Sequence, residues 1–221
     1  MAKNVLTDNF VEPLDGVTTA SFDIHAGDGN LSIDRLSGDE ALLAGGALQY
    51  FEKQGRPTRT LTSRPGQVTL ALRSGAAGHR WLRMPWAACN GATEWNIHLN
   101  PTVLSAITAH SDGGNVKIDL TGMAVTCVSA DTGGGNMDVV LPDDAADLSV
   151  IAKTGAGNVT VSIPNGVAAR IHATTGLGKV IMDPRFNKIA EDVYQSTDFD
   201  TAANRIEITT RSGAGNVSIN S

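Results

Sequence analysis

The motif Gly-x-Gly-Asn followed by alternating apolar residues recurs along this 221-residue chain and constrains its fold more than any other feature. It stands at Gly27-Asp28-Gly29-Asn30, Gly133-Gly134-Gly135-Asn136, Gly155-Ala156-Gly157-Asn158 and Gly213-Ala214-Gly215-Asn216. Two variants are Asp112-Gly113-Gly114-Asn115, with Asp for the first Gly, and Gly176-Leu177-Gly178-Lys179, with Lys for Asn. From Asn115 the steps are 21 residues to Asn136, 22 to Asn158, 21 to Lys179 and 37 to Asn216. A period this short marks a repeat too small to bury its own apolar face, so that each copy must stack on a neighbour.

Alignment of the six copies shows how such a stack builds a core. Five residues before the first Gly position stand Phe22, Ile107, Val128, Val150, Ile171 and Ile208. Three before it stand Ile24, Ala109, Ala130, Ala152, Ala173 and Thr210, and the intervening positions are polar or mixed. After the motif the alternation resumes in Val116, Ile118, Leu120, in Met137, Val139, Leu141 and in Val159, Val161, Ile163. Period two is the signature of a strand with one buried face. One repeat therefore reads as strand, Gly corner, strand, second corner, and Val128, Val150 and Ile171 are expected to touch as successive members of one column.

Proline marks the second corner at Leu141-Pro142, Ile163-Pro164 and Asp183-Pro184, because it cannot donate to a sheet ladder and presets φ for a turn. At the first corner Gly27, Gly29, Gly114, Gly133, Gly135, Gly155, Gly157, Gly176, Gly178, Gly213 and Gly215 let the chain reverse and stacked copies approach closely. Asn30, Asn115, Asn136, Asn158 and Asn216 suit the same corner as backbone partners; their functional alternative is a ligand-binding row. The expectation is all-β: a single-stranded β-solenoid of about 21–22-residue repeats over 95–221, with residues 1–94 forming an N-terminal β region packed on it.

Composition narrows the function classes. A net charge of −6 with Lys and Arg unclustered disfavours nucleic acid, which needs a basic stripe. No apolar run reaches the roughly 18 residues of a spanning helix, and the N-terminus lacks the apolar stretch of a signal peptide. The expected location is thus the envelope or exterior if a leader was removed, and the cytoplasm otherwise. Cys89 and Cys127 form no metal-ligand spacing, and their pairing stays open.

Between the first copy and the array, Ala41 to Phe51 reads as a strand with a Gly-Gly bulge or a short helix, and Gln67 to Leu72 alternates cleanly. Trp81, Trp86 and Trp95 are expected at the junction, filling space or forming an aromatic carbohydrate platform. The long step before Asn216 reads as a surface loop over 184–201, with a helical turn at Lys188 to Tyr194. Phe186, Tyr194 and Phe199 on it, with Trp81 and Trp86, make up the candidate recognition surface, since loops on rigid scaffolds carry recognition.

Reactive chemistry is sparse. There is no nucleophile elbow and no His-Glu-x-x-His, and the glycine motif opens no helix, so neither a phosphate loop nor a dinucleotide fold is supported. His25 and His110 share an outward column and can meet only if their copies are adjacent. The expectation is no catalytic residue, no cofactor and no metal.

The runs 114 to 123, 133 to 142 and 155 to 164 resemble the bacterial toast-rack domains, found in the C-terminal parts of cell-wall-active antibiotic response proteins and in candidate adhesins. Asp23 to Asp34 and the strand at Trp95 resemble the N-terminal part of that group. The resemblance implies a stacked β-solenoid with an envelope-linked sensing or scaffolding role and no catalytic residues. Two functions follow as expectations. One is a non-catalytic scaffold or binding module, adhesin-like or stress-sensing, with a protein or glycan partner. The other is a self-assembling structural protein whose solenoid ends pair into homo-oligomers or filaments.

Overall fold

Alternation of Val, Ile and Leu with polar residues forces extended chain, because only a pleated strand puts every second side chain on one face. In the computed structural model, which describes residues 4–38, 41–75, 93–145 and 147–221, that pattern becomes nineteen strands and, among the described residues, one 3-10 turn at Glu52–Gln54. The N-terminal half holds β1 (Val5–Pro13), β2 (Thr19–His25), β3 (Asn30–Arg35), β4 (Leu42–Phe51), β5 (Thr58–Arg64), β6 (Gln67–Arg73) and β7 (Glu94–Leu99). Next come β8 (Leu104–Ser111), β9 (Val116–Asp119), β10 (Val125–Thr132), β11 (Met137–Val140), β12 (Leu148–Ala156) and β13 (Val159–Ser162). The last are β14 (Ala168–Leu177), β15 (Val180–Met182), β16 (Phe186–Ala190), β17 (Val193–Ser196), β18 (Arg205–Ala214) and β19 (Val217–Asn220).

These form two large sheets. One runs β1-β4-β7-β3-β9-β11-β13-β19-β15, the other β16-β17-β14-β18-β12-β10-β8-β2-β6-β5. Each strand of the first sheet from β7 to β15 pairs parallel with its neighbour, as does each strand of the second from β6 to β14; antiparallel pairs occur only towards the ends. A strand of the second sheet leads through a sharp corner into a strand of the first, and this pair makes one rung. Between the sheets lies an aliphatic core from Phe10 to Ile219, with Val128, Ala130, Val139, Val161 and Ile206 wholly inaccessible. Both sheets run without a break through strands on either side of residue 94.

The rungs do not stack in chain order. Val128 pairs with Val150, but the next member of the column is Ile208, and Ile171 lies beyond it. The column expected from the sequence is therefore interrupted by the rung β18–β19, which slips between β12–β13 and β14–β15. The reason lies in the hairpin β16–β17, which pairs antiparallel with β14 and occupies its outer edge, so the returning chain takes the inner one. The other end behaves alike: β2–β3 sits between β6–β7 and β8–β9.

Two local readings also change. Lys188 to Tyr194 is not a helical turn: it is the paired end of β16, a tight turn at Glu191-Asp192 and the start of β17. Residues 42–51 are one strand, and the irregularity in its pairing with β1 falls at Glu12/Pro13, away from Gly45 and Gly46. Gly46 is there for closeness, since a Cβ would overlap the Asn96 carbonyl.

Candidate functional site

The repeat corner is bonded to its neighbours on both sides. Each Asn Oδ1 accepts the backbone N–H at the corner of the next rung: Asn30 from Asn115 (3.0 Å), Asn115 from Asn136 (2.8 Å), Asn136 from Asn158 (3.0 Å), Asn158 from Asn216 (2.8 Å) and Asn216 from Lys179 (3.0 Å). The corner Asn side chains thus satisfy backbone donors along the stack. The glycines allow the approach. Gly157 and Gly215 hold φ of +141° and +143°, and a Cβ on either would overlap the glycine carbonyl of the preceding rung. Gly133, Gly155, Gly176 and Gly213, and likewise Gly114, Gly135 and Gly178, face a neighbouring carbonyl in the same way. Gly27 faces the Ser74 side chain and Gly29 faces Thr93.

A second ladder went unnoticed in the sequence. The residue just before each motif donates its hydroxyl to a glycine carbonyl of the preceding rung. Ser111 reaches Gly29 (2.8 Å), Thr132 Gly114 (2.8 Å), Thr154 Gly135 (2.9 Å), Ser212 Gly157 (2.8 Å) and Thr175 Gly215 (2.7 Å). The signal was present as Ser or Thr in five of the six copies; only the first carries Ala26 there.

Of the candidate recognition residues, Phe186 and Phe199 are each 5% exposed and Tyr194 is half-buried against the core. Trp81 and Trp86 lie outside the described residues. Trp95 is buried, its indole N–H donating to the Gln49 carbonyl at 3.0 Å. Arg185 lies over the Phe186 ring at 4.5 Å and bonds the carbonyls of Ile163, Pro164 and Val167 at 3.0–3.3 Å. Burial holds its basicity below the usual arginine value.

Phe199 nonetheless marks a place of interest. On the second sheet, where β12, β18 and β14 run side by side, a cleft of about 480 Å³ is lined by Asp147, Ser149, Arg170, Phe199, Arg205 and Glu207 among others. Arg170 is clamped from two directions: its Nε donates to Gln195 Oε1 at 2.8 Å, and its guanidinium lies 4.3 Å from the Phe199 ring centroid. Its terminal nitrogens meet Asp200 at 3.4 Å and Glu207 at 3.7 Å, and Arg205 meets Asp147 at 3.5 Å. Charge-assisted bonds are usually about 2.7–2.9 Å, so these are loose pairs. The two arginine side chains are about two-fifths exposed and the three acidic side chains about three-quarters, so the anions stand nearer the rim than the cations.

His25 and His110 do meet, because β2 and β8 are adjacent: their rings stack with centroids 4.2 Å apart. His110 Nδ1 lies 2.5 Å from Asp131 and its Nε2 3.2 Å from Asp112. Burial first, then the charges of His110 and Arg73, hold His25 below the usual histidine value. Among the described residues, no three His, Cys, Asp or Glu side chains gather as metal ligands, and no helix is long and apolar enough to cross a membrane.

A family model described as the N-terminal domain of toast_rack, DUF2154, matches residues 2–162. Among solved structures, a candidate cell adhesion protein from Clostridium sporogenes ATCC 15579 superposes with a TM-score of 0.88 at 21% identity, covering 98% of this chain and 99% of that one. A candidate adhesin from Bacteroides fragilis NCTC 9343 aligns over 99% of this chain and 98% of its own at 12% identity, with a TM-score of 0.34 that is too loose to bear on the fold. No curated protein matches the sequence. The Clostridium likeness extends the two-sheet fold over both chains from end to end.

Proposed function

The chain belongs to the toast-rack N-terminal domain family, and from that membership we propose that it is a non-catalytic, adhesin-like binding module of the bacterial cell envelope. The observation that carries the reading is the end-to-end fold likeness to a candidate cell adhesion protein. A second argument supports it. The corner Asn, Ser and Thr side chains are committed to backbone bonds between rungs, which leaves the flat outer faces and the cleft around Arg170 as the surfaces free to meet a partner. In this reading the parallel stack is a β-solenoid with repeats of about 21–22 residues, and 1–94 and 95–221 act as one continuous unit. The recognition surface is the second sheet's outer face beside residues 184–201, and the partner is a surface glycan or protein.

The test is an array of cell-surface glycans and extracellular proteins probed with the full chain, followed by calorimetry on any hit. Saturable, reversible binding with the ligand recovered chemically unchanged is the expected result. Turnover of the ligand, or no saturable binding anywhere, overturns the reading.

A further inference from the structure

We propose that the cleft between β12, β18 and β14 binds a carboxylate-bearing sugar, such as a uronic or sialic acid residue of a glycan chain, through the terminal fork of Arg170. The inference rests on the binding-module reading and names the ligand class of its site. The argument starts from how Arg170 is held. A surface arginine normally gives up several freely rotating torsions to grip a ligand, but here Nε is fixed by Gln195 and the planar face by Phe199. The two terminal nitrogens are only loosely engaged, one in a long hydrogen bond to Asp200 at 3.4 Å and the other 3.7 Å from Glu207. A planar, positioned fork with loosely engaged donors matches a carboxylate in bidentate geometry.

The rest of the lining decides what carries that carboxylate. Arg205 stands on the same wall, in a loose pair of 3.5 Å with Asp147. Asp147, Asp200 and Glu207 at the rim can only accept hydrogen bonds when ionised, so they call for donors, and Ser149 offers a hydroxyl that does both. A ligand that presents one carboxylate to the arginines and several hydroxyls to the rim is a carboxylated sugar. A dianion such as phosphate or sulfate would meet roughly twice the repulsion that a single carboxylate meets from the three rim carboxylates, and an uncharged sugar would leave the fork unused.

The experiment is isothermal titration of the full chain with tetragalacturonate and with 3′-sialyllactose, each beside its uncharged counterpart, the methyl ester and lactose. Binding of an acid with its counterpart at least about tenfold weaker is expected. Arg170→Lys keeps the charge and loses the fork, and it should cost about tenfold or more; Arg205→Gln, farther from the clamped ring, should cost less. Circular dichroism and the unfolding midpoint establish that each variant is folded. Equal binding of acid and counterpart, unchanged binding by folded Arg170→Lys, or preference for a peptide with a free C-terminal carboxylate overturns the inference. If instead the full chain binds an uncharged glycan or a protein, and both variants bind it as well as the parent, the ligand class fails while the binding-module reading stands.

Discussion

The two ends of the stack differ from its middle in opposite ways, and each difference is written in one residue. Hydroxyls at the corner donate toward the N-terminal end, and that ladder begins at Ser111, while the first copy carries Ala26 at the equivalent place. Amide oxygens accept from the C-terminal side, and that ladder stops at Lys179, beyond which no further rung presents an N–H. The end at Lys179 thus drops a polar group that would have no partner. The ends are also sealed differently. At the N-terminal end the edge strand β1 turns two acids inward: Glu12 pairs with Arg59 of β5 at 3.0 Å, and Asp8 takes the exposed Arg56 guanidinium at 2.5 and 2.9 Å. Inward charge on an edge resists pairing with another chain. At the other end the β16–β17 hairpin extends one sheet while β15 stays an open edge, with Ile181 half exposed.

The sharpest way to break the comparison is at the glycine column. Gly215→Ala sets a Cβ against the Gly157 carbonyl in a rung held on both sides, and should cost at least about 3 kcal/mol. Gly178→Ala meets the same obstacle in the outermost rung, which can move outward, and should cost less. Gly134→Ala, with nothing within 4 Å of the new Cβ, should stay within about 0.5 kcal/mol. Chemical denaturation of the three variants ranks them; equal losses at Gly215 and Gly178 would mean that the terminal rung is as confined as the inner ones. In the core, Ile208→Ala should cost about 3 kcal/mol and half-buried Met182→Ala about 1 kcal/mol.

Strand type, corner positions and the buried columns were legible because they are local: Val159-Thr160-Val161 can only alternate, and Pro164 can only end a strand. The order of the rungs was not, because Ile171 and Ile208 occupy equivalent positions and either could follow Val150. Lys179 was the one available clue, since an Asn ladder with Lys in one place must end there. The cleft was hidden for the same reason. Glu207 meets Arg170 through the out-of-order pairing of β18 with β14, and Phe199 follows β17, which pairs with β14 on its other edge, so the loop could be singled out while the arginine above Phe199 could not. The residue called aromatic recognition in the sequence, Phe199, acts in the structure as the floor that holds Arg170.

Smaller effects test the ladders themselves. Asn158→Ala removes the acceptor for the Asn216 N–H and should cost about 1 kcal/mol, whereas Lys179→Asn adds an acceptor with no donor to meet and should change nothing measurable. A clear gain from Lys179→Asn would show that something does pair beyond that rung. Asp8→Asn should cost less than about 1 kcal/mol, as expected of a pair exposed on its Arg56 side. The Arg56 hydrogen bonds hold the Asp8 carboxyl below its ordinary value, so its contribution is present above about pH 4 and disappears as the pH falls further.

A small, pH-dependent effect is expected where β2 meets β8, at the His25–His110 stack, and its pH window separates it from the carboxylates. His25 is held below the free histidine value of 6.5, by burial first and then by His110 and Arg73, against the opposing pull of Asp112 and Asp23. The unfolded chain therefore binds this proton at a higher pH than the folded one. Stability from His25 is complete above pH 6.5 and is lost as the pH falls through the lowered folded value, because protonation places a charge on a partly buried ring. Solvent at this sheet face limits the loss to less than about 1 kcal/mol, a few degrees in the unfolding midpoint at most. His25→Gln should flatten the midpoint between pH 7.5 and 5 while leaving the steeper fall below pH 4 untouched, since Asp8, Asp119 and Asp183 are all held below their ordinary value of 3.8 and titrate there. A variant whose midpoint still falls with the parental slope above pH 5 would move the sensitivity to another group, and a change confined to pH below 4 would place it among the carboxylates.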